Sequence, residues 1–292
     1  MARQHPIITL IRRIAPVVSH LAPPLAARWL LRLFVTPHPR PRVSRELEWM
    51  EGAKRTTVRY DDKIDLPVWS WGEGPTVLLV HGWSGRGSQL ACYAQPLVEA
   101  GFRVVTWDMP GHVEAGGRTS ALPYFAQAIE KVAAQFGPVY GIVAHSLGAA
   151  ATTYALSQGL RAERLVYLAP PEDLYRYLVF LGEYLKFAPD IAPKALALLE
   201  RRYGTKLESV RGRSLAPARH EPLLILHDTE DPDVPLAEAR DLAAHWLGAE
   251  LIVSEGLGHG RIVRDELTLH RVREFLNTTN SAAASTEQAA AD

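Results

Sequence analysis

The stretch Gly141-Ile142-Val143-Ala144-His145-Ser146-Leu147-Gly148-Ala149-Ala150 decides how the chain reads. Its first half is a continuous apolar run, the pattern of a strand buried on both faces. Its second half is alanine-rich and helix-forming. Ser146 stands at the joint. A sharp strand-to-helix turn there lifts the hydroxyl to the sheet edge, where the first helical turn supplies free N–H groups and a positive dipole end. Strand and helix backbones pass close at such a turn, so the residues two before and two after the serine must be small. They are Ala144 and Gly148. Alanine at 144 carries one methyl more than glycine would and sets strand and helix slightly apart, which the small Ala149 and Ala150 offset.

The same rhythm runs outward in both directions. Val58–Tyr60 and Leu66–Trp71 read as a short antiparallel pair. Thr76–Val80, Arg103–Trp107, Tyr140–His145, Arg164–Leu168, Leu223–Leu226 and Glu250–Val253 are Val-, Leu- and Ile-rich runs, each closed by a turn. Helical spacing fills the intervals at Ser88–Glu99, Tyr124–Phe136, Leu147–Gln158, Leu236–Trp246 and Arg261–Leu276. Gly101, Gly137, Gly159 and Gly248 follow four of these helices, where a C-terminus favours a residue tolerant of positive φ. Alternating strand and helix predicts an α/β fold: one mostly parallel, eight-stranded sheet with helices on both faces and right-handed crossovers.

The core is expected over 56–170 and 221–277. Between them, residues 171–220 are far too many for an ordinary connection and contain two helical patterns, LYRYLVFLGEYLKF and PKALALLERRYG. An insertion on the C-terminal edge of the strands reads as a small helical lid, since ligands bind at that edge. Its aromatics, Tyr175, Tyr177, Phe180, Tyr184 and Phe187, read individually as ordinary core.

The ends differ in composition. Residues 1–55 form a partly helical arm, whose first 45 residues hold eight arginines and no acid. Its apolar stretches are broken by Arg12-Arg13, Pro16 and Pro23-Pro24, so none reaches the ~20 residues of a membrane span. The arm either packs on the main domain, the reading adopted, or lies on an anionic membrane surface. Residues 278–292 are polar and low in complexity, the composition of a disordered tail. Charge balances at 32 basic against 32 acidic residues, which advertises no nucleic-acid partner. The single cysteine, Cys92, has no partner histidine nearby and reads as a packed thiol; with no secretory signal evident, a cytoplasmic location is expected. The oligomeric state has no signature.

Three further segments give Ser146 companions. His81-Gly82-Trp83 closes the strand from Thr76; the acids Asp228, Asp231 and Asp233 follow the strand from Leu223; Gly256-Leu257-Gly258-His259 follows the last strand. Serine, acid, histidine is the chain order of an α/β-hydrolase triad. On LLVHGWSG, VVTWDMPGH, VAHSLGAA, DPDVP and GLGH, the chain resembles the α/β-hydrolase-fold serine hydrolases from about Thr56 to Leu276. The resemblance implies Ser146 as nucleophile, His259 as base, Asp231 as the orienting acid, and the backbone amides of Trp83 and Leu147 as oxyanion donors. It implies no cofactor and no metal, and none of the HExxH, CxxC or Walker patterns is present.

Asp228 lies nearer the strand end and is the reserve for the acid; Glu172 and Asp173, after LAPP, are a further position that the fold allows. His81, His145 and His112 read as loop supports, and His227 as packed. A serine at the elbow argues against haloalkane dehalogenase and epoxide hydrolase chemistry. The leading expectation is a carboxylesterase for small to medium hydrophobic esters. Thioesterase, lactonase or acyltransferase work, if need be at a membrane surface, and a non-catalytic binding module of the same fold are the alternatives; perhydrolysis is conceivable as a side activity.

Overall fold

The computed structural model describes residues 6–38 and 41–278. Arg3, Arg40 and the tail from 279 onward lie outside the described residues. The arm forms α1 (Pro6–Leu21), α2 (Pro23–Phe34) and α3 (Ser44–Trp49). Eight strands follow: β1 (Lys54–Arg59), β2 (Asp65–Trp71), β3 (Thr76–Val80), β4 (Arg103–Trp107), β5 (Val139–His145), β6 (Arg164–Leu168), β7 (Leu223–Asp228) and β8 (Glu250–Ser254). They form one sheet in the order β1-β2-β4-β3-β5-β6-β7-β8. β1 and β2 pair antiparallel, β2 runs antiparallel to β4, and every other pairing is parallel. This is the sheet expected from the sequence. β1 begins four residues earlier than its apolar run implies, because an edge strand buries little: Lys54, Arg55 and Thr57 face solvent.

The remaining helices are α4 (Ala94–Glu99), α5 (Leu122–Phe136), α6 (Leu147–Ser157), α7 (Leu174–Tyr184), α8 (Ile191–Tyr203), α9 (Gly212–Leu215), α10 (Leu236–His245), α11 (Gly258–Arg261) and α12 (Glu266–Asn277). The pleat divides each strand between two cores. Leu78 and Val80 of β3 face a core with Phe125, Ile129 and Trp246, while Val77 and Leu79 face Leu90, Tyr93 and Leu276 on the other side. Both faces are therefore dry, which explains the continuous apolar runs.

Two expected helices are interrupted. Gly87–Tyr93 winds as a 3-10 turn before α4, and Pro96 falls in the first turn of α4, where no backbone donor is needed. The Arg261–Leu276 pattern breaks at Asp265, which is extended and caps α12 by accepting the Thr268 N–H at 3.0 Å. Gly101, Gly159 and Gly248 have positive φ, but Gly137 does not. Pro138 follows it and favours extended backbone; glycine is needed there because a Cβ would come within 2.7 Å of the Ala133 carbonyl oxygen.

The arm packs, and chiefly on the insertion. Ala26, Leu30 and Leu31 of α2 share a third core with Leu178 of α7 and Ala195 and Leu199 of α8. Beyond α2 the chain is tied to the sheet edge: the Ser120 N–H donates to the Val35 carbonyl (2.8 Å), and the His38 N–H donates to Ser84 Oγ (2.9 Å). Farther along, the buried Glu46 carboxylate accepts two bonds from the Arg86 guanidinium (2.6 Å each) and one from Ser88 Oγ (2.8 Å). Arg42 pairs with the buried Asp108 at 2.7 Å and lies over the Trp69 ring. Among the described residues no helix is long and apolar enough to cross a membrane.

Candidate active site

Ser146 occupies the turn between β5 and α6 with φ 52° and ψ −127°. A side chain with a Cβ pays roughly 1–3 kcal/mol for such a conformation, so the surroundings must hold it. Its N–H donates to the Leu168 carbonyl at 2.9 Å, and its carbonyl accepts the Ala149 N–H at 2.8 Å. Gly148 permits the close approach of α6 to β3, since a Cβ there would lie 2.7 Å from the carbonyl oxygens of both Val80 and His81. Ala144 is fully buried in the core that also holds Ala149 and Val80, so its extra methyl fills space in that core.

His259, at the start of α11, faces Asp231: Nδ1 lies 2.8 Å from Oδ2. The other carboxylate oxygen, Oδ1, accepts the N–H groups of Asp233 and Val234, each at 2.8 Å. Burial alone would raise the Asp231 carboxyl; the bonds from His259 and Val234 outweigh it and hold the group below the ordinary carboxylate range. The imidazole thus has Nδ1 committed, which leaves Nε2 as the nitrogen available for other work.

Asp228 is placed differently. It accepts the N–H groups of Glu230 (2.9 Å), Leu257 (3.0 Å) and Gly258 (2.9 Å) and the Ser254 hydroxyl (2.8 Å). Against the effect of burial, these donors bring its pKa down to about 2. It anchors the loop that carries His259 and does not hydrogen-bond the imidazole. Glu172 and Asp173 are elsewhere too: Glu172 accepts the Arg213 N–H, and Asp173 caps α7.

The other histidines hold loops. His81 Nε2 accepts the Met109 N–H (3.0 Å), so Nδ1 carries the proton and donates to the Gly82 carbonyl (2.7 Å). His112 Nε2 accepts the Ser84 N–H (3.1 Å), and Nδ1 donates to the Pro110 carbonyl (3.1 Å). His145 Nε2 donates to the carbonyl of His259 (3.0 Å), its ring 4.6 Å from that of His259. Burial first of all lowers their pKa values, to about 4 for His81 and about 3 for His112 and His145, so all three are neutral props. His227 is buried and donates from Nδ1 to the Asp228 carbonyl. The Cys92 thiol is pushed by burial to about 12 and is inert as a nucleophile.

Ser146, Trp83 and Leu147 border one cavity of roughly 880 Å³, mouth included. Leu147 opens α6, so its N–H lies ahead of the helical hydrogen-bond ladder. The Trp83 indole stacks on Phe125 at 6.4 Å. The far walls are apolar: Leu174 and Tyr177 of α7, and Leu199 and Tyr203 of α8. Phe34 and Val35 also line it. Sequence reasoning had no signal for these two, because the arm precedes the catalytic pattern and resembles nothing in it. Donor atoms of Asp231, Asp233 and His259 lie within 4.8 Å of one another; of these groups, Asp231 Oδ2 and His259 Nδ1 bond each other, and Asp231 Oδ1 accepts two N–H groups.

The alpha/beta hydrolase family model matches residues 77–271, two-thirds of the chain, a span that includes Ser146, Asp231 and His259. The chain belongs to the alpha/beta hydrolase family. Solved structures agree on the fold. An esterase from Pyrococcus furiosus aligns with TM-score 0.61 at 18% identity, over 82% of this chain and 98% of its own. A bacterial membrane phospholipase A aligns with TM-score 0.62 at 18% identity, over 92% and 96%. An esterase from Exiguobacterium antarcticum aligns with TM-score 0.56 at 18% identity, over 78% and 99%. No curated protein matches this α/β hydrolase in sequence.

Proposed function

We propose that this α/β hydrolase is a carboxylesterase for small to medium hydrophobic esters, working through Ser146, His259 and Asp231. One observation carries the reading: a serine held at φ 52° on the rim of an apolar cavity, in a chain whose His259–Asp231 pair closes at 2.8 Å. The esterases and the phospholipase of the same fold, named above, lend support to ester chemistry.

In this mechanism His259 Nε2 takes the Ser146 proton as Oγ attacks the acyl carbon. Asp231 keeps the other ring nitrogen protonated and stabilises the imidazolium. The Trp83 and Leu147 amides receive the negative charge of the tetrahedral oxygen, each donor worth about 10²–10³ in turnover. His259 returns its proton to the leaving alcohol, and water then attacks the acyl-enzyme with the same histidine as base. The apolar walls, Leu174, Tyr177, Leu199 and Tyr203 among them, accept the acyl chain.

A fluorophosphonate probe is expected to label Ser146, and a chain-length series of p-nitrophenyl esters to turn over with a preference for medium acyl groups. Equal, slow hydrolysis by wild type and Ser146→Ala would end the proposal. Thioesters and lactones belong in the same panel, since the cavity walls accept an acyl chain whichever leaving group it carries.

A further inference from the structure

The arm carries a surface for which the proposed chemistry has no use. Ile8, Ile11 and Val18 of α1 pack inward on the third core. A second apolar row runs along the outside at three- and four-residue steps. It comprises Ile7, Leu10, Ile14, Val17 and Leu21, exposed by 60, 57, 41, 55 and 76%. Single exposed apolar residues are common, but five in one helical row are not. Phe180 and Tyr184 of α7 stack on each other and are exposed as well, and Arg12 of α1 lies over the Tyr184 ring at 5.4 Å, joining the two helices.

Charge identifies the occupant. The first 45 residues hold eight arginines and no acid in a chain of net charge 0, so the positive excess is segregated here. Arg13 and Arg28 are exposed on α1 and α2. An apolar row edged by cations complements a surface that is apolar beneath a plane of negative headgroups. A second copy of the chain would set arginines against arginines, which opposes self-association. With 16 residues, α1 is about 24 Å long, suited to lying in an interface.

α7 connects this surface to the cavity. Leu174 and Tyr177 line the cavity; Phe180 and Tyr184 follow at three- and four-residue steps along the same helix. We propose that the outer face of α1 docks in the surface of an anionic phospholipid bilayer and holds the cap there, so that acyl esters of membrane lipids reach the cavity along α7. The delivery step rests on the esterase reading; the docking step does not.

The test is sedimentation of full-length Ser146→Ala protein with phosphatidylglycerol–phosphatidylcholine vesicles and with pure phosphatidylcholine vesicles. A second protein adds Leu10→Gln, Ile14→Gln and Val17→Gln, exposed positions outside the cavity. The mixed vesicles are expected to pellet the first protein, and binding to fall about tenfold or more in the triple variant, in neutral vesicles and at high salt. With Ser146 restored, the triple variant should hydrolyse a soluble short-chain ester at the wild-type rate. Equal pelleting of the two proteins, or equal binding to neutral and anionic vesicles, overturns the docking. So does a dimer that the triple variant abolishes while neither protein binds vesicles. Vesicle binding by a protein inactive on every ester would remove the esterase reading and leave the docking standing.

Discussion

Two aspartates three residues apart have opposite surroundings, and the difference governs what each can do. Asp231 gives one carboxylate oxygen to His259 and the other to two amides, whereas Asp228 spends itself on three amides and a hydroxyl. Asp231→Asn is expected to lower kcat by roughly 10³–10⁴-fold with little change in melting temperature, because an amide cannot fix the required tautomer. Asp228→Asn should instead lower stability by about 2–3 kcal/mol, since an amide nitrogen would face N–H donors in a buried site. Steady-state kinetics beside urea unfolding separate the two. The order serine, acid, histidine is legible in the sequence. The resemblance points to Asp231 with Asp228 in reserve, but spacing alone does not separate them, because both precede His259 at similar separations; the path of the β7–α10 loop brings Asp231 to the imidazole.

At the scale of elements, the strands are legible because burial on both faces leaves continuous apolar runs, as in Thr76–Val80. Breaks inside helical patterns are harder to read: Asp265 ends one turn and caps the next helix while the apolar spacing carries on past it. The junction of the sheet and the inserted residues 171–220 holds a titrating group. Glu172 follows β6, buried, with the Arg213 N–H on one oxygen; burial foremost, with Asp241 and Glu238 nearby, raises its pKa to about 7. The folded protein then keeps a proton that the unfolded chain releases above about pH 4.5. Stability falls as pH rises from there through about 7 and is level beyond. Glu172→Gln should remove this dependence and stabilise by on the order of 2–3 kcal/mol at pH 8, with no gain at pH 4; thermal unfolding across pH measures it.

For the whole molecule, the arm changes status between sequence and structure. Its composition marks it as separate, yet α2 packs on α7 and α8, and Phe34 and Val35 close one side of the cavity. Phe34→Ala should raise KM for medium-chain esters several-fold while leaving acetate esters almost unchanged, as a chain-length series would show. Removing residues 1–45 would strip Leu30 and Leu31 from the third core and Arg42 from the buried Asp108, so point variants are the sharper tool. The sequence by itself determined the sheet, the elbow at Ser146 and the three segments that bring chemistry to it, since period, glycine placement and turn chemistry are local properties of the chain. Tertiary structure alone decided that Asp228 anchors the loop carrying His259, that the arm walls the cavity, and that α1 keeps one apolar row exposed. Those outcomes depend on contacts between residues far apart in the chain, to which no local pattern is sensitive.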